Sequence, residues 1–395
     1  MVASKGIDRY PGGLNLTGRL QSNGTELKIN LGLKLENGKL IQAHGGSILH
    51  FDGIFYWFGE NKAGRTKPAK PNGPALNRVD VIGISVYSSR DLLNWKNEGL
   101  ALRGGDGAGH PDLAFRGIVE RPRVLYHAAS RRFVMWLHID DEKYKTARLG
   151  IAVASKPAGP YIYRRSFRPH GEESRDFTVY QDDDGFAYIA YSSEGNRVMH
   201  LARLASTLDD VVPGFERALV GQSRESPVIF KCAGVYFLFT SGCTGWEPNR
   251  AEVFYASALL GQTWRSLGDP CVGGASARRT FMAQATFALP VPGSPGRFLL
   301  MADRWNQERL GVSRYIWLPL FVVEAPTAER LRAMPAERER SRVRRGDRER
   351  VVKPAARAVP ADAALGLDVV VRWHHEWDVQ TLDVLPQPRS RGQPL

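Results

Sequence analysis

Two glutamates each stand two positions before a proline at the start of a strand-like run: Glu120 in Glu120-Arg121-Pro122 and Glu225 in Glu225-Ser226-Pro227. A carboxyl group at the open start of a strand projects from the end of the sheet. Beside Glu225, the loop carrying Thr244, Trp246 and Asn249 can wall a pocket. Three further runs open on polar groups, His44-Gly45-Gly46, Ser174-Arg175-Asp176 and Gln284, and Glu60 closes the first hairpin, while His138, Asp140 and Tyr144 follow the strand after Glu120. The plain alternative is that Glu225 pairs with Arg224, and Glu120 with Arg121 or Arg123, at strand ends. Recurrence argues against it, because carboxylates brought to one point raise one another's pKa and oppose folding unless they bind or catalyse. Paired carboxyls around a sugar-sized pocket are what glycoside hydrolysis needs. One protonated acid gives its proton to the leaving oxygen while a second group handles water or acts as nucleophile, and a neighbouring carboxylate helps keep that acid protonated near neutral pH.

The elements that must position these groups repeat. Ser47 to Phe58 reads as strand, Asp-Gly turn, strand, and Val81 to Tyr87 adds a third. The same pattern returns in Arg123 to His138 with Leu149 to Ala154, in Thr178 to Ser193 with Arg197 to Leu204, in Pro227 to Gly242 with Glu252 to Ala258, and in Ala285 to Asp303 with Ser313 to Leu320. Five copies at a period of roughly 50–75 residues, with almost no helix, are the signature of radial repetition. The expectation is an all-β, five-bladed β-propeller whose first strands point at one central funnel. A two-sheet sandwich does not need five like hairpins.

Composition narrows the classes further. Of the 395 residues, 43% are hydrophobic and 24% charged, and nine tryptophans lean toward strands and sugar platforms. The net charge of +13 is concentrated in the Arg-rich stretch from Arg330 to Arg357, where interleaved Glu halves the field and no aromatic residues alternate, which argues against a nucleic-acid partner. Three cysteines, Cys232, Cys243 and Cys271, lack metal-ligand spacing and are read as buried free thiols. The Asp182-Asp183-Asp184-Gly185 run is a hairpin turn rather than a calcium loop, and His374-His375-Glu376 alternates across a strand rather than forming a metal site. No apolar leader or membrane-length run is present, so the expectation is a soluble, cytoplasmic chain without membrane partner.

Together, HGGSILHFDGIFYWFGE, VERPRVLYH with VMWLHID, SRDFTVYQDDDGFAYIAYSS, ESPVIFK with TSGCTGWEPN, and RYIWLPL with VRWHHEWDV resemble glycoside hydrolase family 43, and within it the exo-β-1,3-galactanase subfamily. The resemblance implies a five-bladed propeller enzyme that removes β-1,3-linked galactose with inversion and without cofactor. It makes Glu225 the catalytic acid, Glu120 the residue that modulates and orients it, and Gln284 the water-positioning residue or substitute base. Most of the family carries an Asp base in an Asp-Pro-Ser setting where this chain has Gly45-Gly46-Ser47. Glu60, Arg121, Tyr144, Asp176, Asn196 and Thr244 match positions that hold the terminal sugar, and Trp246 stacks on its apolar face. Relatives are often secreted. The implied organisation is a lead-in over 1–36, the propeller over 37–323, a loosely ordered Arg/Pro/Ala-rich insertion over 324–365, and a closing strand of the last blade within 366–395. Two other readings stay open: an arabinofuranosidase or xylosidase of the same family, and a propeller that binds a glycan without cleaving it.

Overall fold

The computed structural model describes residues 17–23, 26–30, 40–92, 94–106, 109–273, 276–324, 366–372 and 376–378. Alternating runs of aromatic and β-branched residues form hairpins wherever a two-residue turn interrupts them. Asp52-Gly53 joins His44–Phe51 to Ile54–Glu60, and Ala233-Gly234 joins Arg224–Cys232 to Val235–Gly242. All four turn residues have φ between 49° and 76°, the turn class whose twist matches that of the flanking strands.

Five sheets, antiparallel throughout their first four strands, follow in chain order. Blade I continues from its hairpin with Gly83–Ser89 and Lys96–Arg103. Blade II comprises Ile118–His127, Arg132–Asp140, Arg148–Ala154 and Ile162–Phe167. Phe177–Gln181, Ala187–Ser193, Val198–Arg203 and Glu216–Ala218 form blade III, and blade IV adds Glu252–Ala256 and Arg265–Gly268 to its hairpin. Blade V is built from Gln284–Pro290, Arg297–Arg304, Arg314–Glu324 and Leu367–Arg372. Each first strand packs on the next, and the strand beginning at Gln284 returns to the strand beginning at His44, closing the ring. The five-bladed propeller expected from the repeats is the fold.

The fourth strands of blades I to IV are absent from the sequence reading. They are short or largely exposed outer edges, so they lack the apolar alternation that marks the inner strands. Blade V carries a fifth strand, Cys271–Val272, which pairs in parallel with Leu367–Arg372. Glu376–Asp378, expected to continue that closing strand, pairs instead with Thr17–Asn23, whose other neighbour is Glu26–Asn30. The lead-in thus contributes a hairpin to a separate three-stranded sheet. The insertion over 325–365 and the His374-His375 pair lie outside the described residues. All three cysteines are free, but Cys243 is exposed rather than buried.

The junction between the last blade and the first is packed with rings. Trp57 lies edge-on to Tyr315 at 4.8 Å and to Trp317 at 5.0 Å, with Trp95 5.4 Å from Trp57. Edge-to-face pairs add about 0.5–1.5 kcal/mol each beyond burial, which secures the joint where the ring would otherwise open.

One local feature sets up everything at the axis. The inner strands of blades I, II, IV and V are bulged at their starts, with register breaks at His44/Ser47, Glu120/Arg123, Glu225/Val228 and Ala285/Phe287. In the first three the bulge contains a residue at positive φ, Gly45 (58°), Arg121 (54°) and Ser226 (51°). A bulge re-aims a side chain and increases the twist of its strand.

Candidate active site

Above the bulges, directly paired residues place side chains on one face of each blade. His44 pairs with Glu60, Glu120 with His138, Glu225 with Ser241 and Gln284 with Asp303. The polar groups at the strand starts therefore converge as two rings, one from first strands and one from second strands. The sequence reading names the first ring, and from the second it names Glu60 and His138 but not Ser241 or Asp303.

Arg121 is the hub. Its guanidinium holds Asp176 in two bonds of 3.0 and 2.7 Å and donates to Ser226 Oγ at 2.7 Å and to Gln284 Oε1 at 2.8 Å. Its backbone N–H donates to Glu60 Oε1 at 3.2 Å. Four blades are joined through this one side chain and its Ser226 and Gln284 partners. Ser226 extends the network by donating its backbone N–H to Asp176 Oδ2 at 3.1 Å and its hydroxyl to the Ala285 carbonyl.

Glu225 is half-buried, and its carboxyl accepts from Gln284 Nε2 at 3.1 Å. Burial of the carboxyl and then the Asp176 charge push its pKa up to about 8, against the pull of Arg121 and the Gln284 bond. Arg224 does not pair with it, but reaches Thr240 and Glu252. The foremost carboxylate charge acting on Glu225 is Asp176. The reason is topological: Asp176 belongs to the adjacent blade III, while Glu120 is turned toward other partners.

Those partners make Glu120 the opposite of an acid. Lys62 Nζ lies 3.3 Å from its Oε1, Tyr144 donates to the same oxygen at 3.2 Å, and His138 Nδ1 is 3.5 Å from Oε2. Burial works to raise the Glu120 pKa, but Lys62, His138 and Arg121 together hold it down to about 2. His138 is clamped on its other side by Asp140 at 3.1 Å, and although burial opposes protonation, the two carboxylates raise it to about 9. Glu60, 4% exposed, is raised to about 7, chiefly by burial, with Lys62 at 2.7 Å pulling it back. The pocket therefore sorts its carboxyls: Glu120 ionised, Glu60 intermediate, Glu225 protonated at neutral pH.

Gln284 has its hydrogen-bonding capacity filled. Its oxygen accepts from Arg121 and from Trp305 Nε1 at 3.2 Å, and its amide donates to Glu225 and to Ser241 Oγ at 3.1 Å. Behind it, Asp303 accepts from the Gly45 backbone N–H at 2.5 Å and lies 3.3 Å from His44 Nδ1. Gly45 carries no side chain for a physical reason: a Cβ there would collide with Glu60 Oε1.

Trp246 lies edge-on to Trp305 at 4.8 Å and its ring is 5.5 Å from Lys62 Nζ, so it walls the pocket, but its N–H is spent on the Asn77 carbonyl. Asn249 and Thr244 do not line the pocket through free groups. Asn249 braces its own loop, bonding both Gly242 groups and Thr244 Oγ1, and Thr244 also donates to the Glu247 carbonyl. Asn196 stands beside Cys243, whose thiol points at its carbonyl, and its side-chain oxygen is buried without a partner. Lys62, Ser226, Ser241, Asp303 and Trp305 were missed because common residue types carry no signal until the blades bring them together.

Beneath the ring, Arg123 closes the axis. It is 1% exposed and donates to the carbonyls of Gly45, Pro122 and Thr286, which belong to three different blades. On its far side the inner strands line a separate, open pocket of about 620 Å³. Asp182 of the acidic turn is engaged by Lys231 at 2.6 Å and by the Tyr236 hydroxyl. Among the described residues no group of three or more His, Cys, Asp or Glu is arranged to hold a metal, and no helix is long and apolar enough to cross a membrane.

Residues 47–275 match the sequence model of the glycosyl hydrolases family 43. No curated protein matches the chain. Among solved structures, a family 43 β-1,3-galactosidase with galactodeoxynojirimycin is similar, with a TM-score of 0.66 and 38% identity, over 73% of this chain and 93% of that one. An exo-β-1,3-galactanase from Phanerochaete chrysosporium with β-1,3-galactotriose gives a TM-score of 0.63 and 36% identity, over 73% of this chain and 62% of that one. For an exo-β-1,3-galactanase from Clostridium thermocellum the values are 0.62 and 33%, over 73% of this chain and 61% of that one.

Proposed function

Because the chain belongs to glycosyl hydrolase family 43, and is therefore a glycosidase, we propose that it removes terminal β-1,3-linked galactose from galactan or arabinogalactan chains, acting from the chain end and inverting the anomeric centre. The observation that carries the reading is Glu225: a half-buried carboxyl, kept protonated up to about pH 8 by burial and by Asp176, among the polar groups that converge from the strand starts. Glu225 gives its proton to the glycosidic oxygen as the bond to the anomeric carbon breaks, water adds to that carbon from the opposite face and loses its proton to solvent, and Glu225 regains a proton from solvent. Glu120, held as an anion, faces the positive charge that develops on the sugar.

Gln284 takes the positioning role in this scheme. Both lone pairs of its oxygen are engaged by Arg121 and Trp305, and its amide fixes Glu225. That favours a strut that holds the acid in place over a group that removes the water's proton. Glu60, Arg121, Tyr144 and Asp176 supply the hydroxyl contacts, with Asn196 and Thr244 at the rim and Trp246 against a sugar face. The similarity to a galactosidase and to galactanases favours galactose over the arabinofuranoside or xyloside alternative.

The test is incubation with β-1,3-galactobiose and de-branched β-1,3-galactan, following the anomeric form of released galactose by NMR, beside Glu225→Gln and an aryl arabinofuranoside control. Release of α-galactose that disappears in the variant is the expected result. Cleavage of the arabinofuranoside alone would replace the proposal with the first alternative, and tight galactan binding without release would replace it with the second.

A further inference from the structure

We propose that Lys62 is the positioning residue that sets the charge pattern of the pocket: its ammonium, clamped between Glu60 and Glu120 and covered by Trp246 and Trp305, keeps Glu120 an anion and so leaves the pocket's proton on Glu225. Asp176, Glu60, Glu120 and Glu225 all surround Arg121 in one pocket, and a proton on the wrong carboxyl gives no acid at the glycosidic oxygen. Lys62 resolves the competition by geometry. Nζ is 2.7 Å from Glu60 and 3.3 Å from Glu120, and the residue is 7% exposed. Its centre lies 5.5 and 5.9 Å from the Trp246 and Trp305 rings, which screen the ion pairs from water and favour a cation beneath them.

The other groups facing Glu120 do not replace it. From blade II come Arg121, His138 and Tyr144, with Asp140 behind His138. From blade I comes Glu60, a like charge whose ionised form opposes that of Glu120. Arg121 is committed to Asp176 in two bonds, and His138 is shared with Asp140. Lys62 is also the foremost of the groups that lower the Glu120 pKa, whereas the leading charges on Glu225 are Asp176 and Arg121. Its removal is therefore asymmetric: the proton affinity of Glu120 rises while that of Glu225 stays.

The experiment uses the full chain labelled with [13C]δ-glutamate, with the Glu120 signal assigned by its loss in Glu120→Gln. In the wild type Glu120 stays ionised across the acid range in which the protein is folded. In Lys62→Met its titration midpoint moves up by about 1–3 pH units, the effect of an opposite charge within a few ångströms, and in Lys62→Arg it stays low. Lys62→Gln, which keeps a donor without charge, carries the same comparison if Lys62→Met does not fold. An unmoved Glu120 signal in the uncharged variants overturns the proposal. The kinetic arm rests on the galactosidase reading. The acid limb of kcat/KM moves to higher pH in the uncharged variants while the basic limb stays, whereas a uniform loss with unchanged shape overturns the proposal. A wild type inactive on β-1,3-galactosides defeats the galactosidase reading instead, and the NMR titration still decides the role of Lys62.

Discussion

At the residue scale the pocket works by giving chemically identical carboxyls different environments. Glu225→Gln is expected to lower kcat about 10²–10⁴-fold, the usual contribution of a positioned acid, measured with β-1,3-galactobiose. In the wild type the activity should fall as pH rises through about 8, since Glu225 must carry its proton. Gln284→Ala removes a donor that favours the charged form of Glu225, so the basic limb should move to higher pH even as kcat drops; a limb shifted to lower pH would sink the assignment of Gln284 as a strut. The strand-start residues Glu120, Asp176, Glu225 and Gln284 were legible because each opens a repeat. Which carboxylate acts on which was not. Glu120 and Asp176 look equivalent in sequence, and only the blade order puts Asp176 against Glu225 and Lys62 with His138 against Glu120.

At the scale of the element, the bulged inner strand is the device that delivers these groups. Gly45 occupies a positive φ at a point where Glu60 fills the space of a side chain. Gly45→Ala is therefore expected to cost about 1–3 kcal/mol from backbone strain, and to lose activity by displacing Glu60 from Lys62, read by thermal melts and by kcat/KM together. A variant as stable and active as the wild type would show that the bulge tolerates a side chain. The hairpins themselves were readable from alternation and from turns such as Asp52-Gly53. The bulges were not, because an extra residue in one strand is visible only when the partner strand is in place.

For the whole molecule, closure and charge are the terms that matter. Glu324 and Leu367 are paired neighbours in an antiparallel ladder, so residues 325–366 join adjacent strands of blade V. Replacing 325–366 by a two-residue Asn-Gly turn should leave the melting temperature within a few degrees and the activity intact, because a long connection and a short one differ by only about 0.6 kcal/mol per doubling of length. Loss of the fold would mean that the segment does more than connect. The elevated pKa of Glu225 also has a stability consequence. Its folded value of about 8 lies above the reference of 4.5, so the folded state holds a proton that the unfolded chain releases, and stability falls as pH rises through that window. Glu225→Gln should therefore melt higher than the wild type at pH 8, with the gap closing toward pH 4.5. Glu120 has the opposite sign: its stabilising contribution is present above pH 4.5 and is lost as pH falls toward 2.

By itself the sequence determined the repeat, the all-β class, the five-bladed ring and the polar residue at the start of each inner strand, because strand alternation, turn chemistry and repetition are local properties of the chain. Tertiary structure alone decided the fourth strands, the parallel Cys271–Val272 edge, the Glu376–Asp378 pairing with Thr17–Asn23, and the partner of every buried charge. Lys62 shows why. It stands two residues after Glu60 in an unremarkable Asn61-Lys62-Ala63 run, and its function exists only where Glu120 from the next blade and two tryptophans from blades IV and V close around it. Electrostatic roles depend on distances between residues far apart in the chain, and those distances are set by the closing of the ring.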